Sequence, residues 1–411
     1  MAYKYLSILT GISLLCIGCS SSEDEPGTRE EINPQPIEMT TLDKAVADKS
    51  NEFGVDFVKK NILLALERIG YDGGNIIVSP VSASIALSMA ANAVNDQQAE
   101  AIIDKLGQTD LTALNDYNAK LIDYLTTSNS VSTIKFANRM WVDDSYTVPD
   151  DFAGVMGEKY GFTPETAPIW KNWKNVAGVI DQWCDGFTEH LIPNIAPEEA
   201  PGDIFLASGL IFKNQWEKKF SSKGKNTFKG AKGDEIADMM ECSINTIGFS
   251  YNGCQMVSLP YKDGRCTFTA VLPPVELSMA EFVRRMDDYG VNPLNITNAT
   301  LKNYEVTLPK LSISTEVSLR KYLENEFPVF KNIDWIKAGV TRGGEHHSLK
   351  QNVSLTLDEE GTTAAVITSS DAYTANGATA FNVNRPFVFF ITEKETGSII
   401  LAGVINTLSN N

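Results

Sequence analysis

The stretch best suited to chemistry in this 411-residue chain carries no catalytic side chain. From Thr362 the alternate positions are Thr362, Ala364, Val366, Thr368, Ser370 and Ala372. None is charged and none is larger than valine. In an extended strand such a set points to one face. The segment therefore suits two states: an exposed loop, or a strand that slides into a crowded sheet without burying a charge. The only charge between Gly361 and Ala380 is Asp371, which falls on the other face. Leu355, Leu357, Val366 and Ile367 have strand propensity, whereas Gly361 and residues 369–380 have the composition of an exposed connection. What the segment can do is add a strand.

Conventional catalytic groups are scarce. There is no Gly-x-Ser-x-Gly elbow and no phosphate-binding loop. The histidines are His190, His346 and His347, and Glu345-His346-His347 sits in a Gly-rich polar stretch without a matched ligand pair. Cys184, Cys242, Cys254 and Cys266 lack Cys-x-x-Cys spacing, which argues against zinc and leaves disulfides open in an oxidising compartment. Cys254 and Cys266 flank a hairpin turned at Asp263-Gly264, but that turn sets Cys266 nearer Tyr261. No enzyme activity, metal or cofactor is expected. The net charge of −17 argues against nucleic-acid binding, which needs a basic patch, and favours solubility and basic partners.

The flanks of the small-residue stretch carry a resemblance. Glu359-Glu360-Gly361-Thr362-Thr363-Ala364-Ala365 resembles the hinge of the serpins. Residues 381–391, with Asn384-Arg385-Pro386-Phe387 at their centre, resemble the serpin C-terminal signature. Gly361 and Pro386 stand 25 residues apart, similar to the spacing in inhibitory serpins. Residues 75–94 resemble the serpin element at the centre of the main sheet, Phe136-Ala137-Asn138-Arg139 the next strand, and Trp216 the tryptophan where the reactive loop enters that sheet. The resemblance runs from about residue 45 to residue 408.

It implies an α+β fold in one domain, with three mixed β-sheets, about eight or nine helices and an exposed reactive loop. It implies a monomeric inhibitor of serine, and secondarily cysteine, proteases. The protease attacks the loop and forms an acyl-enzyme; the cleaved loop then inserts into the main sheet. The hinge would comprise Glu359, Gly361, Thr362, Ala364, Ala365, Val366 and Thr368. Counting fourteen residues from Gly361, as in the family, puts the scissile bond between Ala375 and Asn376, with Tyr373 or Thr374 as runner-up. A methyl side chain before the bond suits elastase-like or subtilisin-like pockets and suits trypsin-like ones poorly. Ser79, Ser82, Ser208, Gln351 and Trp216 would form the region where the sheet opens. Two of these depart from the family: Gln351 replaces a His and Ser208 an Asn. Both can still hydrogen-bond, and Gln351 is expected to bridge Ser79 and Ser208. The other reading is a non-inhibitory serpin acting as a carrier or binding module.

The elements that must position this region follow from periodicity. Helical patterns cover 42–69, 83–94, 96–106, 111–126, 150–160, 173–190, 279–286 and 319–326. Strands are expected at 75–78, 131–142, 204–212, 256–260, 266–272, 304–313 and 399–405. No linker or repeat interrupts residues 42–411, which are expected to form the folded domain.

The N-terminal segment has another character. Residues 1–18, with Lys4, an apolar run over 6–17 and Gly18 before Cys19, resemble a bacterial lipoprotein signal that places lipid on the Cys19 thiol; Cys16 stands where that motif usually has Leu. Residues 19–41 are polar, acidic and proline-containing, a composition that cannot bury a core, and as a flexible tether they would reach roughly 25 Å. The expected setting is the outer membrane, with display on the cell surface, because the acidic run after Cys19 resembles a surface-export signal. Cys19→Ala is expected to release the protein from membranes or leave it unprocessed; unchanged fractionation together with an unlipidated wild-type N-terminus by mass spectrometry contradicts the anchor.

Overall fold

Helix α1, Thr41–Leu66, begins with a capping box in which Thr40 and Asp43 satisfy each other's backbone N–H groups. Helix α2, Pro80–Ala93, starts from a Ser79 N-cap with proline in the first turn and is buried on all sides. Its Ala- and Ser-rich surface lets it contact both sheets at once. The remaining helices are α3 (Asp96–Lys105), α4 (Leu111–Thr126), α5 (Asp150–Tyr160), α6 (Ile169–Phe187), α7 (Met279–Arg284) and α8 (Leu319–Glu326). This computed structural model describes residues 36–192, 194–297, 299–341, 347–362 and 377–408. Residues 33–411 form one compact unit.

Fifteen strands make two hydrogen-bonded sheets among the described residues. In chain order they are β1 (Ile76–Val78), β2 (Ser132–Asp143), β3 (Glu165–Ala167), β4 (Ile204–Gln215), β5 (Ser221–Gly230), β6 (Gly233–Tyr251), β7 (Cys254–Pro260), β8 (Cys266–Leu272), β9 (Thr300–Pro309), β10 (Leu311–Ser318), β11 (His347–Leu357), β12 (Gly361–Thr362), β13 (Thr379–Asn382), β14 (Phe387–Glu393) and β15 (Ile399–Ile405). The six-stranded sheet runs β10-β11-β12-β4-β2-β3; the nine-stranded sheet runs β1-β15-β14-β8-β7-β6-β9-β13, with β5 on β6. Strands β6 and β9 are long enough to carry hydrogen bonding through both ends of this second sheet, so the two further sheets implied by the resemblance are continuous with each other. The single strand expected at 304–313 is two strands, and they belong to different sheets. Strand β9 ends at Pro309, which has no N–H to donate; Lys310 N–H still reaches the Asp238 carbonyl in the β6–β9 register, and from Leu311 the chain pairs with β11 instead.

The main sheet has two faces. Ile204, Leu206, Leu210 and Phe212 of β4 join the large core around α2, while Phe205 and Ala207 join a smaller core beneath α6 with Trp141, Val176 and Ile180. Alternation along β4 thus separates the α2 side from the α6 side. The four cysteines within the described residues are free and buried. Cys254 and Cys266 lie at opposite ends of the β7–β8 ladder, so no disulfide joins them. Burial pushes the Cys184, Cys242 and Cys254 thiols up to about 12 and Cys266 well above its ordinary range.

A buried charge network locks the β7–β8 turn to α4. Arg265 pairs with Asp263 at 3.3 Å, and both are almost fully buried. The guanidinium donates to the Tyr124 and Thr127 carbonyls at 3.0 and 3.1 Å, satisfying the end of α4. The Tyr124 hydroxyl in turn donates to the buried Glu393 carboxylate at 2.9 Å. Arg265→Leu would strand Asp263 and two carbonyls, and breaking a buried pair costs about 3–5 kcal/mol. A clearly lowered thermal midpoint is the expected result; an unchanged midpoint contradicts this account of the turn.

Candidate functional site

Strands β4 and β11 run parallel and pair directly over seven positions, from His347 opposite Ile204 to Val353 opposite Leu210. Beyond that they part. Leu357 and Asn214, which the same register would set opposite each other four positions further on, are each paired instead with Thr362, antiparallel. The chain reaches this point by a tight turn at Asp358–Gly361, closed by Asp358 N–H donating to the Gly361 carbonyl at 3.0 Å. The Asp358 carboxylate accepts from Glu360 and Gly361 N–H at 2.9 and 3.0 Å. Gly361 is required by proximity: a Cβ there would collide with the Asn214 carbonyl.

The turn is fastened to the segment after β4. Trp216 N–H donates to the Glu360 carbonyl at 2.8 Å, Phe220 N–H to Glu359 at 2.9 Å, and the Trp216 indole N–H to Asp358 at 2.9 Å. Glu359 pairs with Lys310 at 3.1 Å and Glu360 pairs with Lys219. Thr362 is fully buried, and its Oγ1 lies 2.6 Å from the Tyr261 Oη. Thr362 is thus already in the sheet, facing the core. Ala364, Ala365, Val366, Thr368, Ala375, Asn376 and Cys19 lie outside the described residues, as do Glu345 and His346.

The polar cluster at the closed part of the sheet divides in two. On the β11 side, the Gln351 amide meets the Ser79 main chain twice: Ser79 N–H donates to Oε1 and Nε2 donates to the Ser79 carbonyl, both at 2.8 Å. On the β4 side, Ser208 Oγ lies 2.8 Å from Ser82 Oγ and donates to Asn138 Oδ1 at 3.0 Å. Gln351 thus reaches Ser79 but does not bridge to Ser208. Each strand holds its own anchor on the first turn of α2, and among the described residues no side-chain bond joins the two strands at this level. The exchange of His and Asn for Gln351 and Ser208 leaves both anchors satisfied.

Several partners in this site were not singled out from sequence: Tyr261, Asn138, Lys310, Lys219 and Asn214. Nothing local marks them, since each acquires its role only when distant strands meet. In the sequence Tyr261 stands out only as the residue that the Asp263-Gly264 turn sets near Cys266. The C-terminal end of α6 adds a clasp on the same half-sheet: Glu189 takes Lys135 of β2 at 2.8 Å and also Lys213 of β4. Those two lysines hold the Glu189 carboxyl down at about 2.

A family model described as Serpin (serine protease inhibitor) matches residues 48–408. An uncharacterized serpin-like protein of Methanosarcina acetivorans is 24% identical, with 98% of this chain and 96% of the relative covered. Intracellular coagulation inhibitor 2 of Tachypleus tridentatus is 23% identical over 89% of this chain and 93% of its own. The crystal structure of tengpin, a thermophilic serpin in the native state, matches with a TM-score of 0.77 at 21% identity, covering 92% of this chain and 97% of that one. That last likeness is one of fold.

Burial first, and then the neighbouring Glu359 and Glu360 charges, raise the Asp358 carboxyl above its ordinary range, against the two N–H bonds it accepts. A carboxyl raised in the folded state binds its proton more tightly there than when unfolded, so its contribution to stability grows as pH falls through the folded value and is complete below the ordinary value of 3.8. Asp358→Asn keeps the Oδ1 acceptor and removes the charge. The variant is expected to melt higher than wild type at pH 7, with the difference shrinking as pH falls toward 4. A difference independent of pH contradicts the assignment.

Proposed function

The chain belongs to the serpin family, and from that premise we propose that it is a suicide inhibitor of serine proteases, with cysteine proteases as a second class of target. The observation that carries the proposal is the parting of β4 and β11 around Thr362. A target serine attacks the Ala375 carbonyl, the bond to Asn376 breaks, and an acyl-enzyme forms. The freed segment then continues the strand that Thr362 begins.

The observed register says where each residue would go. Extending it, Ala364 lies between Phe212 and Leu355, Val366 between Leu210 and Val353, and Thr368 between Ser208 and Gln351. Ser370 and Ala372 follow, level with Leu206 and Ile204. These partners on β4 face the α2 side, as Thr362 does. The small uncharged set Thr362, Ala364, Val366, Thr368, Ser370 and Ala372 therefore falls on the crowded face. Thr368, a hydroxyl residue, meets the two polar anchors.

The energetics favour insertion. One parallel ladder is replaced by two antiparallel ones, and the parallel pairing is the weaker per residue. About a dozen new sheet bonds at ~0.5–1.5 kcal/mol each come to on the order of 10 kcal/mol. Insertion must outrun hydrolysis of the acyl-enzyme, and a charge-free face serves that race. The Ala375 side chain suits an elastase-like or subtilisin-like enzyme. The proposed setting is the bacterial outer-membrane surface, with lipid on Cys19 and the domain free to meet proteases as a monomer.

Mixing the protein with pancreatic elastase or subtilisin is expected to give a complex that survives boiling in detergent, with the cut after Ala375 by mass spectrometry and a shift toward trypsin-like targets in Ala375→Arg. Cleavage without a complex and without a gain in heat stability is what a non-inhibitory carrier would give. Ala364→Arg would force an unpaired charge toward the core at a cost of several kcal/mol. That variant is expected to be consumed as a substrate, with a stoichiometry raised at least several-fold. Thr363→Arg, facing the α6 side, should change it far less. If Ala364→Arg still traps protease at wild-type stoichiometry, insertion in this register is wrong.

A further inference from the structure

We propose that Tyr261 is a positioning residue that keeps the first two residues of the inserting strand in place before any protease arrives, so that insertion starts from a formed nucleus. The proposal rests on the insertion reading above and assigns to Tyr261 a part of it that the hinge residues do not supply.

The Tyr261 ring cannot move freely. It stacks on Trp216 at 4.7 Å with planes 6° apart and meets Phe212 edge-on at 5.2 Å. Its own N–H donates to the Cys266 carbonyl at 3.0 Å. This ring is fully buried, and among the described residues the side-chain partner of its hydroxyl is Thr362 Oγ1, 2.6 Å away and also fully buried. The same Trp216 holds the Asp358 carbonyl through its indole N–H. One aromatic stack thus fixes both the turn that delivers the strand and the first core-facing residue of that strand.

The bond is neutral between the resting and inserted forms, because Thr362 keeps its place between Asn214 and Leu357 in both. What it opposes is withdrawal of Gly361 and Thr362 from the gap. Fixing the first residues of an ordered segment costs conformational entropy before many bonds repay it. Each later residue gains pairings on both sides. With the nucleus in place, the step that competes with acyl-enzyme hydrolysis is extension alone. Loss of the hydroxyl should empty the nucleus in part and slow insertion by a factor of about five, the worth of one buried hydrogen bond.

The test is a double-mutant cycle on the full chain. Tyr261→Phe keeps the ring stack, and Thr362→Val keeps the shape of its side chain. With pancreatic elastase, each single variant is expected to form stable complex about fivefold more slowly and with a higher stoichiometry of inhibition. The double variant should be no slower than the singles, because removing both partners leaves no orphaned hydroxyl. Hydrogen exchange on the uncleaved proteins gives a readout without protease: the amides of Gly361 and Thr362 should exchange faster in Tyr261→Phe than in wild type, with the rest of β4 and β11 unchanged. Wild-type rates in both singles, multiplying effects in the double, or unchanged exchange at Thr362 would overturn the role of Tyr261 while leaving suicide inhibition intact. A wild-type protein that elastase cuts but that never traps it would instead overturn the inhibition reading, and this proposal with it.

Discussion

The parallel pairing of β4 and β11 is the interaction on which the rest of the structure depends. Every other long pairing in the main sheet is antiparallel: β2 with β4, and β10 with β11. Apart from the three-residue parallel pairing of β2 with β3 at the edge, only the central pair run the same way, over seven residues. An antiparallel strand set between them would make every long ladder in the sheet antiparallel. The resting structure already contains the first step of that conversion at Thr362. Continuing β12 into that gap is the conversion proposed above; in the intact chain the next described strand, β13, lies in the other sheet.

At the level of Gln351 and Ser208, no side-chain bond among the described residues joins the two halves of the sheet. Gln351 is satisfied by the Ser79 main chain, and Ser208 by Ser82 and Asn138. Both anchors use the first turn of α2, and neither needs the other. The α6 end is clasped to β2 and β4 through Glu189, so it belongs to the β4 half. One side-chain bond from β11 reaches the connection between α6 and β4: Asn352 Nδ2 to the Asn194 carbonyl, at 3.3 Å. By contrast, the Asp263–Arg265–Glu393 region is knit by buried charges and offers a rigid frame. The buried charge pairing thus lies away from the seam between β4 and β11.

Much of this was legible in the sequence. Helical periodicity placed α3, α4, α5 and α8 within a residue or two, and the small-residue alternation from Thr362 singled out the segment that is proposed to enter the sheet. Proximity of Trp216 to the hinge also followed from the resemblance. The break at Pro309-Lys310 was missed because apolar alternation continues through it, and nothing local shows that the chain changes sheet there. The partition of the polar cluster was missed because Gln351 and Ser208 lie on adjacent strands, and only the offset of Ser79 and Ser82 along α2 decides which reaches which. Tyr261 was invisible as a site residue: its role comes from a hydroxyl 101 positions away in the chain.

A crystal structure of the protein cleaved in its loop tests the central claim most directly. The account predicts a new strand antiparallel to both β4 and β11, with Ala364 level with Phe212 and Leu355 and Thr368 level with Ser208 and Gln351. A cleaved protein in which His347–Val353 still pairs with Ile204–Leu210, with Thr362 the last residue in the gap, would contradict it.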